Sequence, residues 1–476
     1  MGTEFELKLS PVTPFDGDAL EGLLGLGPAR QQRLRAIYFD TPSHHLAKLG
    51  YALRIRKEGR DHIQTVKAGG GGPFARQEWE QRVQGTMPVV QAGSPVAEAL
   101  GETAATLMPM FEVITDRQTW LITDSDADIE MVVDRCVATA NEESLPFVEI
   151  ELELKRGKPD AVFALARRIG RLTPVRLGML AKSDRARRLV QPPEGAEKAR
   201  LIKLTDAHSA GEACQLIVQD CLRHYRDNEE RLDTDDNAAA LHQARVALRR
   251  LRSALVVFRP IADGKALRRF ADDLRWLAEQ LGRARDIDVL LKHGWDKKAL
   301  ARLNDARDLA YAHARHAMHS QLARELMLDL AEWVTVGKWT RRHRTLRSEK
   351  AKDFAARAIN HLHIKLAAHR DAVGGEGAHE AVHELRKIIK KLRYTVEFFA
   401  MLFDKGKLRK ARIRYLAALE ELQDVLGDYN DRVMMPRLLT TLGIETEDKQ
   451  EAGDDTLSLA QAKHALRQIE EADRFW

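Results

Sequence analysis

The sequence of 476 residues contains few cysteines and no long apolar run. Its three cysteines, Cys136, Cys214 and Cys221, form no CxxC pair, and their odd number argues against a disulfide framework. No stretch approaches the roughly 18–20 consecutive apolar residues that a membrane-spanning helix requires. The first residues also lack the basic start and apolar core of a signal peptide. We therefore expect a cytoplasmic protein that has no membrane partner.

Motifs for nucleotide binding and for nucleophilic catalysis are missing as well. The sequence has no GxxxxGK[ST] loop and no convincing dinucleotide fingerprint. It offers no obvious Ser, Cys or His nucleophile, and its aromatic content of 6% includes no clear pair that could stack a nucleobase or a thiazole ring. A P-loop enzyme is thereby excluded, and the charged residues become the informative ones.

Charge is plentiful and unevenly divided. Residues 1–199 carry 26 Lys and Arg against 28 Asp and Glu, a net charge of −2, whereas residues 200–476 carry 50 against 43, a net charge of +7. A basic second half indicates a polyanionic partner for that part of the chain. The length allows two or three domains, at about 100–200 residues each.

The two halves differ in hydrophobic period. Strict polar and apolar alternation, the signal of β-strands, occurs in residues 4–9, 53–56, 76–80 and 148–154. After the Pro192-Pro193 segment the chain becomes rich in Ala, Leu and Arg, which indicates long amphipathic helices. We predict an α+β multidomain protein. Its first domain, residues 1–195, would be an antiparallel barrel or curved sheet with peripheral helices such as 160–172. Its second domain, residues 205–476, would be an all-α bundle that ends in a charged helix within 448–476.

The helical half repeats itself. His242 to Arg252 aligns with His383 to Arg393, and Leu281-Gly282 with Asp286 aligns with Leu426-Gly427 and Asp431. An internal duplication of a helical unit explains both matches. We interpret Asp286 and Asp431 as structural.

The alternating strands carry carboxylates and bases on one face, because side chains of a strand alternate with period two. A solvated sheet face is the plain interpretation for any single strand. Across several strands, however, the repeated Glu-x-Glu pattern sets like charges side by side. A barrel interior is then favoured, where carboxylates would hold a hard divalent cation and bases would clamp a polyanion. That combination is typical of metal-assisted phosphoanhydride hydrolysis.

These motifs resemble, in order, those of the CYTH family, the triphosphate tunnel metalloenzymes. The resemblance covers residues 1–190, starting from the Glu4-x-Glu6-x-Lys8 motif. It continues through Tyr38-Phe39-Asp40-Thr41, Leu53-Arg54-Ile55-Arg56, Thr65-Val66-Lys67, Arg76-x-Glu78-x-Glu80, Thr115-Asp116-Arg117, Asp134, Glu149-x-Glu151-x-Glu153 and Lys182-Ser183.

The resemblance implies an eight-stranded antiparallel tunnel that hydrolyses a triphosphate with Mg²⁺ or Mn²⁺. The implied metal ligands are Glu4, Glu6, Asp134, Glu149 and Glu151. The implied triphosphate-binding residues are Lys8, Arg54, Arg56, Lys67, Arg117 and Lys182. The implied catalytic residues are Glu4, Glu6, Lys8 and Lys67, and further tunnel residues are Arg76, Glu78, Glu80, which could assist the metal, and Glu153, which we interpret as a charge at the rim.

In the helical half, His242, Arg245, Arg249 and Arg252 form one helix stripe, and the second copy repeats it. A basic stripe is usually a solvated helix face, but the duplication of this stripe argues against that interpretation. A metal site on the two His residues lacks spaced partners. The pattern resembles the CHAD family, which implies binding of inorganic polyphosphate, and no base-reading motif supports nucleic acid as the polyanion. The implied residues are His242, Arg245, Arg249, Arg250, Arg252, His383, Arg386, Lys387, Lys390, Lys391 and Arg393.

Three functions remain open from the sequence. The first is an inorganic triphosphatase that cleaves tripolyphosphate and binds polyphosphate through the second domain, which is compatible with association with polyphosphate granules. The second is an enzyme acting on an organic triphosphate, either a hydrolase of thiamine triphosphate or ATP or an adenylate cyclase. The third is a non-catalytic polyphosphate-binding or targeting protein. We favour the first over the second because the residues of the predicted lumen are acidic and basic, with no clear aromatic pair to stack a base or a thiazole ring. We favour it over the third because none of the matched charges is substituted.

Overall fold

The chain forms two compact units in a computed structural model. By their contacts, residues 1–197 together with 319–336 make the first unit, and residues 198–318 together with 337–476 make the second. The inclusion of 319–336 in the first unit was not anticipated from the sequence. The structure describes residues 5–12, 15, 17–68, 77–192, 195–233, 236–262, 264–369, 378–444 and 453–476.

The first unit is built on one antiparallel sheet. Its described residues form nine strands, one more than the eight expected: β1 Phe5–Pro11, β2 Arg30–Asp40, β3 Tyr51–Glu58, β4 Asp61–Ala68, β5 Gln77–Val83, β6 Met108–Thr123, β7 Asp128–Ala140, β8 Glu143–Arg156 and β9 Val175–Gly178. Their order in the sheet is β5-β4-β3-β2-β6-β7-β8-β1-β9, and the additional strand is the short β9. The edge strands β5 and β9 do not pair with each other within the described ranges.

The sheet buries both of its faces, and consecutive residues of β2 show this. Phe39 joins a core with Leu46 and Leu100, which come from two of the peripheral helices. Its neighbour Tyr38 joins a separate core with Ala186, which lies on a third helix. Among the described residues up to 197, the α-helices are α1 Gly17–Leu24, α2 His45–Leu49, α3 Pro95–Leu100, α4 Pro159–Leu172 and α5 Lys182–Val190. The predicted helix at 160–172 is thus confirmed as α4.

Segment 319–336 is the helix that completes the first unit. Helix α11, Gln321–Val336, packs against α4 and β9. Arg167 of α4 donates to Asp329 at 2.9 Å and also to Glu332. Ion pairing and packing therefore both hold this helix against the sheet unit.

The second unit is entirely helical, as predicted. In the two copies of the repeat, α7 (Ala238–Val257) corresponds to α14 (Ala378–Phe398), and the two helices pack on each other. The helices of this half are α6 Ala210–Leu232, α7 Ala238–Val257, α8 Lys265–Gln280, α9 Gly282–Leu290, α10 Lys297–His319, α12 Arg344–Arg347, α13 Ala351–Ala367, α14 Ala378–Phe398, α15 Gly406–Thr441 and α16 Gly453–Glu471.

The predicted terminal helix is α16, which packs on α15. The residues after it complete an aromatic cluster, because Phe475 and Trp476 both pack edge-on against Tyr415. The Tyr415 hydroxyl lies 2.9 Å from Nδ1 of His363. No described helix combines the length and the apolar character needed to cross a membrane.

Candidate functional site

Two lysines, Lys182 and Lys8, lie among the carboxylates of the sheet, and the side chains of both are largely buried. Lys182 Nζ lies 2.9 Å from Asp134 Oδ2, 2.8 Å from Glu149 Oε1 and 2.7 Å from Glu151 Oε1. These three carboxylates raise the pKa of Lys182 well above its ordinary value, although burial opposes them. Lys182 therefore remains a cation at neutral pH, and three negative groups converge on it.

Lys8 is the second lysine, and it lies on β1 opposite Glu151 of β8. Its Nζ is 2.6 Å from Glu6 Oε1 and 3.2 Å from Glu149 Oε1, and it also contacts Glu151. Burial raises the pKa of Glu6, although Lys8 opposes the change. Burial would also raise the pKa of Glu151, but Lys182 and Lys8 hold it well below its ordinary value. Glu6 is accordingly protonated more easily than Glu151.

A close approach between β1 and β9 fixes the backbone of Lys8. Gly178 of β9 pairs with Lys8, and a Cβ atom at Gly178 would lie only 2.9 Å from the Lys8 Cβ. A larger residue at Gly178 would therefore push Lys8 away from its carboxylates.

Arg117 connects this group to the next strands. It donates through Nε and Nη2 to the two oxygens of Asp134, at 2.8 and 2.7 Å, and approaches Glu151 at 3.3 Å. The pairing follows from the register, since Arg117 of β6 lies opposite Asp134 of β7. Asp134 is buried and already bound by Arg117 and Lys182. It is thus placed to position these two cations.

The strands β3, β4 and β5 contribute a more basic surface. Lys67 Nζ lies 3.0 Å from Glu78, which also approaches Arg54 at 3.8 Å, while Glu80 accepts from Thr65 at 3.0 Å. Burial and repulsion from Arg54 lower the pKa of Lys67. The positive charge on this side is therefore only partly neutralised.

Two arginines on β3 retain hydrogen-bonding capacity. The Nε atoms of Arg54 and Arg56 are buried, and neither has a hydrogen-bond partner in the described part of the chain. Burial and repulsion from Arg54 lower the pKa of Arg56. An unsatisfied buried donor is costly unless a ligand pairs with it. Both groups are suited to an anion.

The sheet curves enough to bring its two ends into electrostatic contact. Lys67 of β4 acts on Glu6 of β1, although five strands separate β4 from β1 in the sheet order. Arg117 of β6 also acts on Arg56 of β3, with only β2 between their strands. The acidic and basic groups therefore share one concave face, as the alternation predicted.

The carboxylates have the chemistry of a divalent-cation site. Mg²⁺ and Mn²⁺ prefer oxygen ligands, and Glu6, Glu149 and Glu151 supply only oxygens. The buried Oε2 of Glu149 has no hydrogen-bond partner among the described residues, which leaves an acceptor available. No ready-made group of three metal-binding side chains occurs within the described ranges, because the ammonium groups of Lys8 and Lys182 lie between the carboxylates. The residues fit such a cation if these ammonium groups withdraw.

Three of the predicted tunnel residues do not join this group or lie outside the described residues. Glu4 and Arg76 are outside the described residues. Glu153 lies opposite Glu6 in the register of β1 and β8 but pairs with Lys155 at 2.7 Å, and its position at the rim stays a prediction. Asp40 of the Tyr-Phe-Asp-Thr motif accepts from the backbone amides of Leu46 and Ala47, so its role is to hold α2.

In the helical unit, His242 lies in a group of cations. Burial lowers its pKa to about 4, and Arg285, Arg249, Arg245 and Lys292 add to the effect. Sequence reasoning missed Arg285 and Lys292, which lie outside the repeated stripe. A cluster of cations that depresses a histidine pKa is an electrostatically strained surface, and a polyanion would relieve the strain.

The HxxR arginines have a structural partner in both copies. Arg245 donates to the carbonyl oxygen of Leu281 at 3.1 Å, and Arg386 donates to the carbonyl oxygens of Leu426 and Gly427. The two repeated motifs are therefore one feature, in which each arginine fastens the Leu-Gly segment. A Cβ atom on Gly282 would lie 3.2 Å from Arg245 Nη1, which favours glycine in the first copy.

Arg250 is not part of the surface stripe. It is almost fully buried, lies 3.4 Å from Asp220 and 3.4 Å from His224 Nδ1, and stacks over Phe398 at 5.3 Å. Its inclusion among polyphosphate-binding residues is therefore corrected, because residue 250 is rotated by about 100° from residue 249 on an α-helix and faces the core.

The two stripes meet at the packing of α7 on α14. Arg249 Nε lies 3.3 Å from the hydroxyl of Tyr394 on α14. Burial lowers the pKa of Lys391, with Lys365 and Arg252 among the cations that add to the effect. The described cations of both copies thus form one basic surface.

The other predicted basic residues of α14 differ in their environment. Lys387 pairs with Glu384 at 2.7 Å, and Arg393 pairs with Glu420 at 3.2 Å. His383 is exposed and Lys390 is half-buried. These residues lie on the same helix as Lys391, but two of them are already engaged by carboxylates.

Comparisons with known proteins identify both units. Residues 2–186 match the CYTH domain, and residues 216–440 match the CHAD domain. The chain is therefore a CYTH domain fused to a CHAD domain.

The chain is also similar to individual proteins. It is 30% identical over 173 residues to an inorganic triphosphatase of Haemophilus influenzae, which covers 34% of this chain and 47% of that protein, so the match spans about half of the relative. An uncharacterized protein of Mycobacterium tuberculosis is 25% identical and is matched over 96% of this chain and 90% of its own length. Among solved structures, the CHAD domain from Ricinus communis matches 59% of this chain and 94% of its own length, with 30% identity and a TM-score of 0.46.

Proposed function

We propose that the CYTH domain is a metal-dependent inorganic triphosphatase that hydrolyses tripolyphosphate, and that the CHAD domain binds inorganic polyphosphate. The observation that carries the first part is the concave face of the sheet, where Glu6, Glu149 and Glu151 lie beside bases with unsatisfied donors. The distant similarity to an inorganic triphosphatase supports the same substrate.

Glu6, Glu149 and Glu151 would hold the cation, together with Glu4 if the sequence motif is followed. Bound there, Mg²⁺ or Mn²⁺ would neutralise phosphate charge as a Lewis acid. Asp134 keeps Arg117 and Lys182 in place, since it is buried and bonded to both.

The bases would bind and orient the triphosphate. The Nε donors of Arg54 and Arg56 have no hydrogen-bond partner among the described residues. They fit phosphate oxygens, with which guanidinium groups form paired hydrogen bonds. Lys67 and Lys8 would transfer their hydrogen bonds from carboxylates to phosphate oxygens. These fixed cations stabilise the charge that develops during phosphoryl transfer, and the buried site lessens screening by water.

The test is phosphate release from tripolyphosphate, ATP and thiamine triphosphate, each with EDTA, Mg²⁺ or Mn²⁺. We expect metal-dependent release mainly from tripolyphosphate. Preference for an organic triphosphate would replace the proposed substrate, and no release from any of the three would indicate a binding protein.

A matched pair of variants tests the metal assignment. Glu6→Gln should abolish the metal-dependent turnover while the protein remains folded, because the amide is a weaker ligand of similar size. Glu143→Gln makes the same change on β8 at an exposed residue outside the carboxylate group and should retain activity. A fully active, folded Glu6→Gln protein would refute the assignment.

The helical domain is tested by reversing charge on the basic surface. Arg249→Glu combined with Lys390→Glu should abolish polyphosphate binding while tripolyphosphate turnover is retained. Lys407→Glu, an exposed residue of α15 outside the cluster, is the control. Unchanged binding in the double variant would disprove the location of the polyphosphate site.

A further inference from the structure

A polar cavity of about 480 Å³ opens beside the candidate triphosphate site. We call it the mouth cavity; β2, β3 and β6 supply its lining, which is Arg30, Gln31, Gln32, Leu34, Arg56, Glu58 and Arg117. Its volume falls within the roughly 300–1,000 Å³ of small-molecule sites. The motifs of the sequence did not include the residues that β2 contributes to it.

The mouth cavity is continuous with the site described above. Arg56 and Arg117 line it and also belong to the predicted triphosphate-binding set. Arg117 is held in place by Asp134 and approaches Glu151 of the carboxylate group. Gln32 lies opposite Arg117 in the register of β2 and β6. A ligand gripped by these two arginines could therefore extend towards Arg30 and Gln32.

The lining has the wrong chemistry for an organic group. Sites for small organic molecules are lined mainly by apolar and aromatic side chains. Here Leu34 is the single apolar residue, and none of the described lining residues is aromatic. A nucleobase or a thiazole ring would find no stacking partner in this cavity.

The same lining fits an anion. It presents three guanidinium groups and two amides against one carboxylate, Glu58, which pairs with Arg56. The buried Nε of Arg56 still lacks a hydrogen-bond partner in the described part of the chain. Arg30 is exposed at the outer end, where it would meet the far end of a bound chain.

We propose that the mouth cavity is a subsite for the additional phosphate of a linear polyphosphate longer than the three phosphates held at the candidate site. This inference rests on the proposed function, because it assumes that the inner site holds a triphosphate group. It also makes the cavity a determinant of specificity, favouring an inorganic chain over an organic triphosphate.

The test is calorimetric titration of the full-length protein with tripolyphosphate, tetrapolyphosphate and ATP in EDTA. The wild-type protein should bind tetrapolyphosphate more tightly than either of the others. Arg30→Glu should weaken tetrapolyphosphate binding by at least about tenfold, since a hydrogen bond to a charged group contributes roughly 1.5–3 kcal/mol. The same variant should change tripolyphosphate binding less than about twofold, because no direct contact is lost.

The matched control is Arg33→Glu, an exposed arginine of the same strand that lies near Asp116 at 3.7 Å and does not line the cavity. It should leave both affinities unchanged. Repeating the titrations in the Arg249→Glu, Lys390→Glu background removes binding by the helical domain from the comparison.

Three results would overturn the inference: equal losses for both chain lengths in Arg30→Glu, no loss for either, or ATP binding as tight as tetrapolyphosphate binding. Because the titrations contain no divalent cation, they do not depend on turnover. Failure of the proposed hydrolysis and failure of this subsite would therefore be distinguished.

Discussion

Polyphosphate binding to the helical domain should be coupled to protonation of His242. Burial lowers the pKa of this residue from 6.5 to about 4, and Arg285, Arg249 and Arg245 contribute to the shift. A bound polyanion would cancel part of the repulsion from these cations but not the effect of burial. We expect the pKa to rise by roughly one unit, equivalent to about 1.4 kcal/mol of interaction.

The direction of the pH effect follows from this change. Between the free and bound pKa values the complex binds more protons than the free protein, so affinity rises as pH falls, by up to about tenfold. In the absence of ligand the effect on stability is opposite. The folded pKa of His242 lies below its unfolded value, so its contribution to stability is present above pH 6.5 and is lost as pH falls from 6.5 towards 4.

Calorimetry at pH 5 in two buffers of different ionisation enthalpy measures the proton uptake. A rise of one pKa unit predicts roughly 0.4 protons taken up per site by His242. The terminal phosphates of the ligand also titrate, so the relevant quantity is the difference between the wild-type protein and His242→Gln. Equal uptake by both proteins, or affinity that falls with falling pH after this correction, would refute the reasoning.

Two further predictions concern stability and packing. Arg250→Ala should lower the free energy of unfolding by roughly 3 kcal/mol, because the buried side chain leaves a cavity beside Phe398 and Asp220 keeps only Arg223 as its ionic partner. Arg249→Ala should instead lower polyphosphate affinity and leave stability nearly unchanged. Denaturant titration beside a binding assay distinguishes the two variants, and reversed outcomes would contradict the assignment of these arginines to core and surface. Gly178→Ala should cost about 1–3 kcal/mol and weaken tripolyphosphate binding, since the added methyl group displaces Lys8; unchanged unfolding and binding would show that β1 and β9 separate freely.

The concave face was predictable because a strand fixes which side chains share a face. Glu6 and Lys8 on β1, and Glu149 and Glu151 on β8, follow directly from the period of two. The pairing of Lys8 with Glu151 did not follow, because register depends on turns and on distant strands. Lys182 comes from a helix, so its position among the carboxylates is a tertiary effect that alternation does not report.

In the helical half, too, the local sequence pattern does not report contacts between distant elements. The period of 3.6 residues places Arg249 on the surface stripe, but charge alone suggested that the adjacent Arg250 belonged with it. Its partner Asp220 lies on α6, and nothing in the local pattern indicates that pairing. The sequence shows both the repeated His-x-x-Arg motif and the repeated Leu-Gly segment. Only the structure shows that hydrogen bonds from Arg245 and Arg386 to backbone carbonyl oxygens link the motif to the segment.

The packing of α11 on β9 and α4 affects how the protein can fold during synthesis. The sheet unit is discontinuous in the chain, so an emerging N-terminal segment lacks the helix that covers β9. At about 5–20 residues per second, the roughly 140 residues from 197 to 336 delay completion of this unit by roughly 7–28 s. During that interval β9 and α4 would expose apolar surface on the ribosome, where a chaperone could bind it. A fragment ending near residue 197 would keep that surface exposed permanently and should be prone to aggregation.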